Sequence, residues 1–89
     1  MKAIVSVFAR DSKGIIAYVT ALLAEKDINV LDISQTLLQE YFAMIMLAEI
    51  NKLTVPFSQF VDELALLGKQ KGLEIHTMHE DIFNTMHHI

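Results

Sequence analysis

A short polar segment after the first apolar stretch carries the residues best suited to bind a small molecule. The segment consists, in order, of Arg10, Asp11, Ser12, Lys13 and Gly14. The apolar spacing that begins at Ile15 predicts a helix, and a helix N-terminus offers N–H groups and partial positive charge that suit a carboxylate. Gly14 permits close approach of backbone to a ligand. Arg10 and Lys13 add positive charge, whereas Asp11 can receive an ammonium group.

The same segment also makes an ordinary capped turn. In that interpretation Asp11 or Ser12 caps the helix, Gly14 forms the turn, and the charged side chains are solvated. Capped turns are common, so the residue types alone favour the plain turn over a ligand site.

Four histidines near two acids suggest a metal site. They are His76, His79, His87 and His88, with Glu80 and Asp81. Imidazole and carboxylate bind divalent transition metals. However, His76 and His79 are three residues apart and would face opposite sides of a strand. Because the spacing does not follow zinc-site rules, we interpret the histidines as surface or terminal residues and expect no cofactor. A metal held between chains through the tail remains an alternative.

Catalytic patterns are weak. The serines Ser6, Ser12, Ser34 and Ser58 have no base nearby in sequence and no nucleophile-elbow pattern. Asp11 and Asp32 would need a cleft to act as a carboxylate pair, and a fold this small rarely provides one. The pair Met44 and Met46 has strand spacing and suits packing. The sequence therefore predicts that the protein is not an enzyme.

Length and composition predict one self-associating domain over residues 1–89. The chain has 89 residues, 53% of them hydrophobic. A chain this short buries only about 60% of the surface it exposes when unfolded. Apolar surface that finds no place inside must be covered by another molecule. We therefore expect a homodimer or a larger homo-oligomer.

The charge pattern excludes several partners. The net charge is −4, and the seven Lys and Arg residues are scattered. This argues against nucleic acid and against an anionic membrane surface. There is no cysteine, which excludes a disulfide framework and suits a reducing compartment. The first residues resemble a strand more than a signal peptide, and no apolar run reaches the ~18 residues of a membrane span. We expect a cytoplasmic protein.

Periodicity predicts the elements that position the polar segment. Strands are indicated at residues 2–9, 28–38, 41–50 and 73–78, and helices from Ile15 to about Asp27 and from Pro56 to Gly72. Residues 81–89 form a tail with the spacing of a short helix. The polar residues Asp32, Ser34 and Gln35 suit a sheet edge.

The element order is that of a ferredoxin-like α+β fold, βαββαβ. Such a fold has a four-stranded antiparallel sheet in spatial order 4-1-3-2, with both helices on one face. The first and third strands are apolar on both sides, so both should be central. The uncovered sheet face or the sheet edge is then expected to form the oligomer interface.

The segment from Asp11 to Ala17, followed by Leu22 to Ala24 and by residues 28–35, resembles the signature of ACT domains. The order of elements matches over nearly the whole chain. The chain resembles small stand-alone ACT-domain proteins, and its first half is similar to glycine-cleavage regulatory proteins and to the N-terminal domain of formyltetrahydrofolate deformylases.

The resemblance implies regulation. ACT domains usually pair side by side or back to back, and many bind an amino acid near the first strand-to-helix loop. When the family's positions are transferred to this sequence, Asp11 matches the loop acid or amide, Gly14 matches the loop glycine, and Asn29 matches the asparagine that begins the second strand. Lys13 stands where the family often has proline. The ligand residues expected on this basis are Arg10, Asp11, Ser12, Lys13, Gly14, Ile15 and Asn29.

Two functions from different classes follow. The first is a homo-oligomeric regulatory protein that binds a small effector, in particular an amino acid. The second is a protein–protein interaction module with no small ligand, in which the polar segment is only a turn.

Overall fold

Seven elements follow one another in a computed structural model, which describes residues 1–10 and 13–86. They are β1 (Lys2–Ala9), α1 (Ile15–Glu25), β2 (Asn29–Leu38), β3 (Tyr41–Glu49), α2 (Phe57–Gln70), β4 (Glu74–His79) and α3 (Glu80–Met86). The βαββαβ order is confirmed, and the tail begins with the short helix that its spacing predicted.

The four strands form one antiparallel sheet in the order β2-β3-β1-β4. Val5 in β1 pairs with Met46 of β3 on one side and with Thr77 of β4 on the other. The two doubly apolar strands are therefore central, as predicted. β2 is an edge strand, also as predicted from its polar residues.

One face of the sheet, here called the helix side, forms the core with α1 and α2. Alternate residues of β1 and β3 point to this side and are fully buried: Ala3, Val5, Val7, Met44, Met46 and Ala48. Val19 and Leu23 of α1 and Phe60 and Leu64 of α2 belong to the same cluster. The helices are amphipathic for this reason, since only one stripe of each meets the sheet.

The other face, here called the open face, is only partly covered. α3 packs against β1 and β4 at one end of it, and Ile4 there is 7% exposed. Phe8, four residues later on the same face, is 45% exposed. The three most exposed large apolar side chains of this face, Leu38, Tyr41 and Phe8, lie at the end of the sheet away from α3.

The two ends of the sheet carry different loops. Ala9, Leu38, Tyr41 and Glu74 lie at one end, here called the loop end, where β1 runs into the polar segment. At the far end, Glu49 pairs with both Lys2 and Asn29. Each candidate ligand residue that the structure describes can be assigned to one of these ends.

A glycine in the left-handed backbone conformation lies next to each main helix: one precedes α1 and the other follows α2. Gly14, with φ of 73°, is the N-cap residue of α1 and has no side chain with which to cap the helix. Asp11 and Ser12, the predicted caps, lie outside the described residues. Gly72, with φ of 74°, stands one residue beyond the last cap residue of α2, Lys71, where glycine is favoured. Among the described residues, no helix is both long and apolar enough to span a membrane.

Candidate functional site

The start of α1, at Gly14 and Ile15, offers a ligand backbone groups more than side chains. The first bond of the helix runs from the Tyr18 N–H to the Gly14 carbonyl at 3.0 Å. The amides of residues 15–17 precede it and are the donors that a helix leaves without an intrahelical acceptor. Lys13 and Gly14 are exposed. The Ile15 side chain is buried in the core, so this residue can offer a ligand only its backbone.

A cavity of about 330 Å³ lies beside this first turn of α1, on the helix side of the sheet. It is lined by Ile16, Gln35, Thr36, Leu37 and Phe42. It thus lies between α1 and the second half of the edge strand β2. The expected ligand set did not include Gln35 and Leu37, although strand alternation with Phe42 would have assigned both to the helix side.

Asn29 does not join this loop within one chain. It pairs with Glu49 at the far end of the sheet, whereas the polar segment follows Ala9 at the loop end. Eight strand residues separate the two ends, which is roughly 26 Å. Asn29 instead borders a polar cavity of about 450 Å³ with Asp27 and Glu49.

Arg10 is also separated from the helix-side cavity. It borders a third cavity, which lies mainly on the open face at the loop end. The structure thus divides the predicted set. Lys13, Gly14 and the amide of Ile15 remain with the first turn of α1, while Arg10 and Asn29 lie elsewhere. Asp11 and Ser12 lie outside the described residues.

The edge strand β2 is exposed along its length. Residues 31–41 are all exposed, and a β-bulge at Leu31 interrupts the pairing with β3. Leu37 points to the helix side and is 64% exposed, and Leu38 points to the open face and is 69% exposed. In the described part of the chain, no strand lies beside the outer edge of β2. Its backbone groups can therefore pair with another chain.

The histidines lie apart from this site and from one another. His76, on the open face, pairs with Glu74 at 2.9 Å. His79 packs edge-on against the Phe57 ring, and its Nδ1 accepts a hydrogen bond from the Asp81 N–H at 3.1 Å. The prediction that His76 and His79 face opposite sides is confirmed by their pairing with Ser6 and Ala3. Within residues 1–10 and 13–86, no group of three potential ligands could hold a metal ion. His87 and His88 lie outside the described residues.

One ion pair connects the end of α1 to α2. The Lys26 ammonium donates to Glu63 Oε2, and Gln59 Nε2 donates to Glu63 Oε1 at 2.9 Å. These hydrogen bonds, that from Lys26 above all, lower the pKa of Glu63. The pair positions α1 against α2 and lies away from the loop end.

Comparison with known proteins identifies the family. The sequence profile of the ACT domain matches residues 2–78, which is most of the chain. The chain belongs to the ACT-domain family. A UPF0237 protein of Clostridium acetobutylicum is 48% identical to it over 89 residues and all of both chains. The ACT domain protein from Streptococcus pneumoniae has 35% identity and a TM-score of 0.84, covering 93% of each chain.

More distant structures share the fold. A formyltetrahydrofolate deformylase from Pseudomonas putida aligns with 89% of this ACT domain and 29% of its own chain, at 15% identity and a TM-score of 0.75. A protein described as a glycine cleavage system transcriptional repressor aligns at 21% identity with a TM-score of 0.70, over 89% of this chain and 47% of its own. The resemblances expected from the first half of the sequence are confirmed. ACT domains are generally regulatory ligand-binding domains, and this chain is assigned to that class.

Proposed function

We propose that this ACT domain, over residues 1–89, acts as a homodimeric regulatory protein that binds an amino acid beside the first turn of α1. The observation that carries the proposal is the cavity of about 330 Å³ between α1 and β2. Its volume lies at the lower end of the range of small-molecule sites, about 300–1,000 Å³. It adjoins the helix amides that have no intrahelical acceptor.

The chemistry of this cavity suits an amino acid. The amides of residues 15–17 can donate to a carboxylate, which the positive end of the helix dipole also favours. Ile16, Leu37 and Phe42 surround an apolar side chain, and Gln35 supplies an amide that both donates and accepts. Apart from its chain neighbours, no described residue has an atom within 4 Å of a Cβ added at Gly14, so the described structure leaves room for a ligand beside this backbone.

A dimer through the β2 edges would complete the site. In an antiparallel pair of β2 strands, the start of one strand lies beside the end of the other. The partner subunit's Asn29 would then stand at the loop end, near Gly14 and Leu37. Within one chain the loop and Asn29 lie at opposite ends of the sheet, and such a dimer would bring the loop of one chain near the Asn29 of the other. Two exposed edges support this arrangement, because pairing would satisfy both.

Titration of the full chain with the twenty amino acids by calorimetry tests the binding. Asn29→Ala should weaken binding of the active amino acid about tenfold, the cost of one charge-assisted hydrogen bond. Asn84→Ala, which removes an exposed amide on α3, is the matched control and should leave binding unchanged. If no amino acid binds at millimolar concentration, or both variants bind alike, the proposed site is wrong.

A second candidate is a protein–protein interaction module with no small ligand. The exposed apolar groups on the open face, Phe8, Leu38 and Tyr41, favour it. Purification of the chain with a stoichiometric protein partner, retained by the Asn29→Ala variant, would support this module over the amino-acid sensor. In both cases the chain regulates and does not catalyse. The cytoplasmic location stays a prediction.

A further inference from the structure

A second cavity lies on the open face at the loop end. Its volume is about 640 Å³, near the middle of the range for small-molecule sites. Phe8, Leu38 and Tyr41 form its apolar wall, and Arg10 and Glu74 border it. Thr36 and Phe42 border both this cavity and the one beside α1. Leu38 follows Leu37 in β2 and points to the opposite face, so the two cavities open on opposite sides of the edge strand.

The wall of this cavity is apolar and uncovered in the described chain. Phe8 is a central residue of the open face, where its ring contacts the His76 ring at a centroid distance of 6.1 Å. α3 covers the other end of this face and does not line the cavity. An apolar body placed here would remove two aromatic side chains and a leucine from water, which is favourable in proportion to the area covered.

Arg10 and Glu74 determine which charged groups a ligand in this cavity can carry. Arg10 forms no ion pair with another described residue, and a guanidinium binds a carboxylate through two parallel hydrogen bonds. The Glu74 carboxylate pairs with His76 Nε2. It would repel a second carboxylate in the same cavity. The charges therefore favour an occupant with one carboxylate and disfavour a dicarboxylate.

We propose that this open-face cavity is a second binding site, and that it takes a small monocarboxylate with a branched or aromatic apolar body. Apolar 2-oxo acids and apolar amino acids share this chemistry. The site goes beyond the amino-acid site beside α1, and does not depend on it. It needs neither Asn29 nor a second subunit.

The test uses the full chain labelled for heteronuclear NMR. The probes are 4-methyl-2-oxopentanoate, leucine, 2-oxoglutarate and isopentylamine. We expect saturable shifts at Leu38 and Tyr41 with one or both of the first two probes. Comparison of the two titrations shows whether the site takes the oxo acid, the amino acid or both. We expect no such shifts with the dicarboxylate or with the amine that lacks a carboxylate.

Variants locate the site. Leu38→Ser should weaken binding about tenfold, because a leucine contact is lost, and Arg10→Gln should weaken it by removal of the cation. Leu66→Ser is the matched control, since Leu66 is 60% exposed on α2, away from this cavity. Leu38 is exposed, so its replacement should not affect folding.

Four outcomes would overturn the proposal. They are no saturable shift at Leu38 or Tyr41, equal binding of 2-oxoglutarate, equal weakening by Leu66→Ser, and conversion of a dimer to a monomer by Leu38→Ser. The last would assign the cavity to a second copy of the chain. Failure here is distinguishable from failure of the amino-acid site, which is read from the amides of residues 15–17 and from Asn29→Ala.

Discussion

Gly68 places α2 in direct contact with β4, and its replacement by alanine should destabilise the protein. A Cβ at this position would stand 2.7 Å from Ile75 Cγ1, 2.8 Å from Ile75 Cδ1 and 3.2 Å from the Leu73 carbonyl oxygen. Ile75 is buried in the core. Its Cγ1 lies next to the backbone and cannot move away without rotation of the whole side chain.

Two opposing terms determine the size of the effect. Alanine is better than glycine in a helix by about 1 kcal/mol. Overpacking of a filled core costs about 1–3 kcal/mol. We therefore expect Gly68→Ala to lower the free energy of unfolding by about 1 kcal/mol. In a domain of this size that corresponds to a fall in Tm of about 4–8 °C.

A double-mutant cycle separates the two terms. Ile75→Ala removes both of the nearest atoms, so that in this background Gly68→Ala should be neutral or stabilising. The measurements are urea and thermal unfolding of the parent, both single variants and the double variant. Ile75→Ala itself should cost about 2–5 kcal/mol, so that the cycle is measured at low temperature. If Gly68→Ala stabilises the parent, or destabilises both backgrounds equally, the packing argument is wrong.

Two further predictions concern the β2 edge and the ion pair between α1 and α2. Leu37→Lys should convert the proposed dimer to a monomer in light scattering, because it adds a charge on the helix side of the paired edge. The control Leu66→Lys should leave the dimer intact. A dimer that persists in Leu37→Lys would contradict edge pairing. Glu63 has a lowered pKa in the folded chain, so its contribution to stability is present above the usual pKa of about 4.5 and is lost as pH falls through the lowered value. Glu63→Gln should therefore make stability less dependent on pH below about 4.5 in thermal unfolding; an unchanged pH profile would exclude this role for the pair with Lys26.

The sheet could be predicted from the sequence because alternation reports directly on burial. Strands β1 and β3 are apolar on both sides, and both are central. The polar residues of β2 indicated an edge, and it is one. Pro56 and Gly72 marked the limits of α2 because each has a backbone preference that suits only one end of a helix. These inferences each rest on one element and its immediate surroundings.

The arrangement of the site was harder to predict because it depends on which end of the sheet each residue occupies. Gly14 and Asn29 were expected to act together, yet α1 lies between them. A helix of 11 residues is about 16 Å long, so it carries the chain from the loop end back toward the far end. The alternation of residues along a strand shows which face of the sheet a residue points to, but not which end of the sheet it occupies. The lengths of the predicted elements would have placed Gly14 and Asn29 at opposite ends of the sheet.

The sequences of the strands could not predict which part of the open face would be covered. Ile4 and Phe8 have the same orientation and are both apolar, yet only Ile4 is buried. The difference comes from α3. Its existence was predicted from the spacing of the tail, but its place at one end of the open face was not. A helix of seven residues covers only part of the sheet, since it is about 10 Å long. The loop end of the open face is therefore left without it.

Leu37 and Leu38 distinguish the possible assemblies, because they are adjacent in β2 and point to opposite faces. A dimer through the β2 edges brings Leu37 near the interface and leaves the open-face cavity accessible. A face-to-face dimer would instead cover Leu38 and close that cavity. Charge at Leu37 should then dissociate only the first dimer, and charge at Leu38 only the second. Light scattering of Leu37→Lys and Leu38→Lys therefore decides between the assemblies, and with them whether the open face can receive a small molecule.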